Sequence, residues 1–103
     1  MIFRTIEHQF CTVTGTVEGE GMQSLVAVSL KAGDRLIVEV DRLVEHGGID
    51  SPERVLSLEM ARMKKCADEF DRFCEDLIAT TRKDLRLELI EEVREDLMAR
   101  GPA

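Results

Sequence analysis

The chain has 103 residues, room for one domain with a modest core. Hydrophobic residues are 44% and charged residues 34%, the balance of a folded chain; the net charge is −7, with −4 in residues 1–50 and −3 in the rest. An acidic surface repels phosphate backbones, which argues against nucleic acid, and no apolar run reaches the roughly 18 residues that cross a bilayer.

Residues 1–50 are rich in Val, Ile, Thr and Gly, the composition of strands. One apolar stretch runs from Ile2 to about Val17. Within it Cys11, Val13 and Val17 share one face and Thr12, Thr14 and Thr16 the other. Glu18-Gly19-Glu20-Gly21 predicts a turn, and Leu25–Leu30 a strand with Val26, Val28 and Leu30 on one face. Ala32-Gly33-Asp34 predicts a second turn. Leu36, Val38 and Val40 then alternate with Ile37, Glu39 and Asp41, giving one buried and one partly wet face. Arg42–His46 reads either as more strand or as one helical turn stopped by Gly47-Gly48.

After the loop Gly47–Asp50, Ser51-Pro52-Glu53 marks a helix start: a capping hydroxyl, a proline suited to the first turn, and an acid at the positive dipole end. From there Leu, Met, Glu, Asp, Arg and Lys dominate, with no glycine before Gly101. The spacing predicts a helix to about Ala79. Leu56, Met60, Met63, Ala67, Phe70, Cys74, Leu77 and Thr81 step by four and three along it, in the manner of a coiled-coil seam. Val55, Cys66 and Phe73 widen that stripe. Near Thr80-Thr81 the stripe loses phase, and Leu85, Leu89, Ile90, Val93 and Leu97 define another. A second, shorter helix capped by Thr81 with Asp84 in its first turn is favoured over one continuous helix; Gly101-Pro102 ends it.

The expected fold is α+β: one domain over residues 1–103, with an antiparallel meander of three or four strands in 1–50 and a long and a shorter helix in 51–100. About 28 residues of helix span roughly 42 Å, against a radius of gyration near 13 Å for a domain of this size. The seam therefore outruns its own domain. That points to a homodimer with Leu56, Met60, Met63, Ala67, Phe70, Cys74 and Leu77 in the interface, the rival being a monomeric hairpin folded on its sheet. The seam is soft, with two methionines, an alanine and a cysteine.

Candidate chemistry is sparse. His8 and Cys11, three apart in an extended strand, face opposite ways, so they share no metal unless a bulge intervenes. Cys66 and Cys74 lie about 12 Å apart on one helix, beyond disulfide reach. They read as small core residues and Cys11 as a buried strand residue; two helices crossing antiparallel at Phe70 would bring Cys66 of one copy to Cys74 of the other. With three cysteines and an N-terminus unlike a signal peptide, the thiols are expected to be reduced and the protein cytoplasmic.

No phosphate loop and no local nucleophile–base pair stands out, so no enzyme, cofactor or metal is expected. The acids Asp68, Glu69, Asp71, Glu75 and Asp76, and a second set at Glu91, Glu92, Glu95 and Asp96, read as solvated helix faces. The first set is also a candidate face for a basic protein partner. Arg82, Lys83 and Arg86 sit among acids and read as balancing charge at a helix junction.

The leading expectation is thus a non-enzymatic, acidic, homodimeric protein-binding module: an adaptor, an assembly factor or an inhibitor, of the size and charge seen in phage and plasmid accessory proteins. A DNA-binding regulator using the basic-flanked turn Leu30–Leu36 is the alternative, opposed by the charge. A small enzyme or ligand-binding domain would need a polar pocket that forms only in space.

Overall fold

The computed structural model describes residues 1–19 and 21–100. Glu20, inside the first expected turn, and Gly101-Pro102, the expected helix stop, lie outside the described residues. Four strands, β1 (Ile2–Glu7), β2 (Thr12–Glu18), β3 (Gln23–Ala32) and β4 (Arg35–Glu45), precede a single helix, α1 (Pro52–Arg100). The strands form one antiparallel meander in the order β1-β2-β3-β4, so the fold is α+β. The chain divides into two compact units, Met1–Arg72 and the remainder from Phe73 on.

In the first unit the period-two pattern sorts the sheet faces. Cys11, Val13, Gly15 and Val17 of β2 and its preceding turn, and Ser24, Val26, Val28 and Leu30 of β3, all point to the buried side. Against them α1 lays Val55, Leu56, Met60, Met63 and Ala67, each no more than 6% exposed. Close approach is possible because β2 carries a glycine at its centre. A Cβ on Gly15 would stand 2.7 Å from Leu56 Cδ1 and would also collide with Met60 Sδ.

One helix about 10–12 Å wide cannot cover four strands spaced about 4.8 Å apart. It covers β2 and β3, so the outer strand keeps little of the burial expected for it. Of the β4 residues only Val44 is buried, while Leu36, Val38 and Val40 are 51%, 39% and 38% exposed. The segment at 42–46 resolves as strand as far as Glu45, and a bulge shifts the register so that Leu30 pairs with Val38 and Lys31 with Leu36.

The expected apolar stretch from Ile2 to Val17 is broken in two by a tight turn at His8–Cys11, closed by a 2.9 Å bond from His8 N–H to the Cys11 carbonyl. His8 and Cys11 therefore flank a turn and do not share a strand.

The helix start forms as expected, with Ser51 Oγ accepting the Arg54 N–H at 3.2 Å. The separate C-terminal helix does not form, and α1 runs through Thr80, Thr81 and Asp84 without a break. Threonine and aspartate each cost a helix only up to about 0.7 kcal/mol relative to alanine. Flanking Ala79, Arg82, Lys83, Leu85 and Arg86 are good helix formers, and no Gly or Pro forces a stop. A loss of hydrophobic phase breaks no backbone hydrogen bond, so it does not end a helix.

The second unit, described by itself, is helical to residue 100, and its large apolar side chains stand in the open. Leu77, Leu85, Leu89, Val93 and Leu97 are all 52–64% exposed.

Candidate functional site

The polar chemistry of the first unit gathers at three places. The first is where the β1–β2 turn meets α1. Asp71 projects from the helix one turn past Ala67 and accepts two backbone donors, Gln9 N–H and Phe10 N–H, at 3.0 Å each. The Cys11 thiol also faces this carboxylate, at 3.5 Å, and the Ala67 carbonyl at 3.8 Å. Asp68 takes His8 Nε2 on one oxygen at 2.8 Å and Lys64 Nζ on the other at 3.2 Å. The imidazole hydrogen bond, followed by the lysine, holds the Asp68 carboxyl below the ordinary carboxylate value. His8 Nδ1 is buried without a hydrogen-bond partner. This arrangement fastens a turn to a helix. Its two carboxylates satisfy donors that the turn itself leaves unpaired.

The second place is an open cleft of about 640 Å³ at the end of the sheet where α1 begins, lined by Ile2, Val17, Ser24, His46, Ser51 and Arg54, among others. Ser24 Oγ and His46 Nε2 are hydrogen-bonded there across 22 positions of sequence. Sequence reasoning missed this pair because the β3–β4 pairing creates it; only the register, with Gln23 opposite Glu45, could have predicted it. A serine next to an imidazole is the start of a nucleophile–base pair. Ser24 is only 4% exposed, however, and among the described residues no ion pair joins His46 to a carboxylate that would orient it. Among the described residues no three His, Cys, Asp or Glu side chains come together as a metal-ligand set.

A third cluster lies midway along the sheet. Glu59, 8% exposed, takes Arg62 at 2.9 Å and reaches Arg42 of β4 at 4.0 Å, while Arg4 of β1 reaches Ser57 at 3.1 Å. These contacts hold the outer strands to the flanks of α1.

The residues expected at a dimer seam separate. Leu56, Met60, Met63 and Ala67 are covered by the sheet of their own chain, and Phe70 packs partly against the same core. Cys74 is half-buried and Leu77 is 54% exposed. Cys66 and Phe73, expected to widen the apolar sector, are exposed; of the three cysteines only Cys11 is a core residue. Of the acids expected to meet a partner, Asp68 and Asp71 are engaged with the β1–β2 turn. Glu69, Glu75 and Asp76 are exposed.

Comparison of the chain with family models, with curated proteins and with solved structures gives no match. Among the described residues no helix is long and apolar enough to cross a membrane.

Proposed function

We propose that this protein is a non-enzymatic, acidic interaction module that works as a homodimer and occupies the surface of a protein partner, as an adaptor, assembly factor or inhibitor. One observation carries the reading: an unbroken row of large apolar side chains, Leu85, Leu89, Val93 and Leu97, stands 52–64% exposed on α1. Covering each is worth on the order of 1 kcal/mol. The row repeats at every helical turn, so another helix is its natural cover. The first part of the seam is occupied by the sheet, so the surface open to a second copy is the later part of the helix.

The net charge of −7 favours a basic protein as the further partner. Glu69, Glu75 and Asp76 are the acids to meet it, since Asp68 and Asp71 serve the fold. The test uses reversal of those three to lysine. Capture of a basic partner is expected to fall at least tenfold with the solution mass unchanged; undiminished capture would refute the acidic-face reading.

The Ser24–His46 pair favours one second reading, a ligand-binding or hydrolytic cleft. Its test is turnover of activated esters by the wild type against Ser24→Ala. Equal background rates in the two would remove it.

A further inference from the structure

β4 is the longest strand of the sheet, 11 residues, and it stands at an edge, paired with β3 alone. Its other side offers backbone N–H and C=O groups to a further strand. Ile37 is the extra residue of the bulge, and from Val38 to Glu45 the pairing with β3 is regular. That register assigns the faces. Val38 and Val40 lie opposite Leu30 and Val28 on the side of α1, beyond its cover, and remain 39% and 38% exposed. Glu39 and Asp41 lie opposite Ser29 and Ala27 on the other side of the sheet, and both are exposed. Among the described residues no ion pair reaches Glu39, Asp41 or Glu45. Lysine and proline commonly blunt an edge strand, and β4 contains neither.

We propose that the free edge of β4 takes up an extended segment of a basic partner protein as an added strand, one that alternates large apolar residues with lysine or arginine. This rests on the reading of the chain as an acidic module for a basic partner, and it names the surface and the form of that partner. Backbone hydrogen bonds along the edge supply affinity, and the alternating side chains supply the choice of segment. Residues directly opposite Val38 and Val40 extend the apolar floor beside α1. Residues directly opposite Glu39 and Asp41 bring the cations that these carboxylates lack. Leu43, 67% exposed on the same face as the two acids, takes an apolar neighbour.

A second β4 fits this edge poorly. In an antiparallel pair related by a two-fold axis, directly opposite residues share a face, so the axis passes beside a single residue. With the axis at Glu39, Asp41 or Arg42, that charge meets its own copy. With the axis at Val40, Glu39 meets Asp41, and at Leu43, Asp41 meets Glu45. Every one of these registers sets like charges directly opposite, which destabilises a strand pair. An axis at Val38 runs through the bulges of both copies. The charge pattern therefore selects a foreign strand of opposite sign.

The experiment uses the full chain and a blocked, fluorescent octapeptide of alternating valine and lysine. Saturable binding by anisotropy is expected, with exchange of the Val38–Glu45 amides slowed. Glu39→Lys combined with Asp41→Lys should leave thermal unfolding unchanged and weaken binding about tenfold. The same octapeptide with every backbone nitrogen methylated keeps its charges and should lose saturable binding. Equal binding of the methylated peptide would mean that the net charge of −7 alone attracts it, and overturns the added strand. Undiminished binding to the double variant overturns the site. Exchange at β4 that slows with chain concentration in the absence of peptide gives the edge to a second copy and overturns the foreign strand. Reversal of Glu69, Glu75 and Asp76 to lysine should leave octapeptide binding unchanged. Binding lost in that variant and kept in the β4 variant overturns the edge and leaves the helix acids as the partner's face. No binding by any form overturns the edge, and the capture test of the helix acids stands apart from it.

Discussion

Phe10 donates its backbone N–H to Asp71 Oδ1 at 3.0 Å, across 61 positions of sequence. With the matching bond from Gln9, one carboxylate closes a turn that has no glycine, proline, asparagine or aspartate of its own. Asp71→Ala removes the acceptor of both amides, leaves the part-buried Phe10 N–H without its partner and is expected to cost about 2 kcal/mol. Hydrogen exchange at Gln9 and Phe10 should accelerate more than exchange in β3. Unchanged exchange at both amides would contradict the clasp.

The neighbouring carboxylate makes the fold sensitive to acid. Asp68 is held below its ordinary value of 3.8, first by His8 and then by Lys64. A carboxyl depressed in the folded state stabilises it fully above the unfolded value, and that contribution disappears as pH falls through the folded value. Denaturant titrations from about pH 5 to about pH 2 should show Asp68→Asn losing less stability on acidification than the wild type. Parallel curves would show that Asp68 contributes nothing to the acid limb.

Gly15 is where the helix and the sheet come nearest. Gly15→Ala is expected to destabilise by about 1–3 kcal/mol through overpacking against Leu56 and Met60. Met60→Ala alone should also destabilise, by about 2–4 kcal/mol. Combined, the two should cost less than the sum of the singles, because the shortened side chain makes room for the added methyl. Additive costs in thermal or denaturant unfolding would mean that the contact is not made.

Much of this fold is legible in the residues themselves. Period-two alternation in β2 and β3, the capping signature at Ser51-Pro52-Glu53 and the switch of composition near residue 50 each rest on local chemistry, and each appears where the pattern puts it. What escaped depends on distant partners. The His8–Cys11 turn is invisible because Asp71 supplies its acceptors from the helix. The Ser24–His46 pair depends on strand register. The break expected at Thr80-Thr81 came from reading a change in hydrophobic phase as a change in backbone. Periodicity reports which face is apolar, whereas a helix ends only where its hydrogen bonds find other partners.

Continuity through that segment has its own test. Carbon chemical shifts at Thr80, Thr81 and Asp84 should be helical throughout. Thr81→Pro, which removes one N–H and clashes with the preceding turn, should lower the helical content at a cost of about 3 kcal/mol or more locally. Proline tolerated at Thr81 with no loss of helix would instead place a helix start there.

The account depends most on the uncovered apolar row of α1 finding a second copy of itself. Sedimentation equilibrium of the unmodified chain over a wide concentration range tests this directly. The predicted result is a species of twice the 11.6 kDa chain mass that reverts toward single chains when Leu89→Asp places a charge within that row. A mass of one chain at every concentration, unchanged by Leu89→Asp, would contradict it.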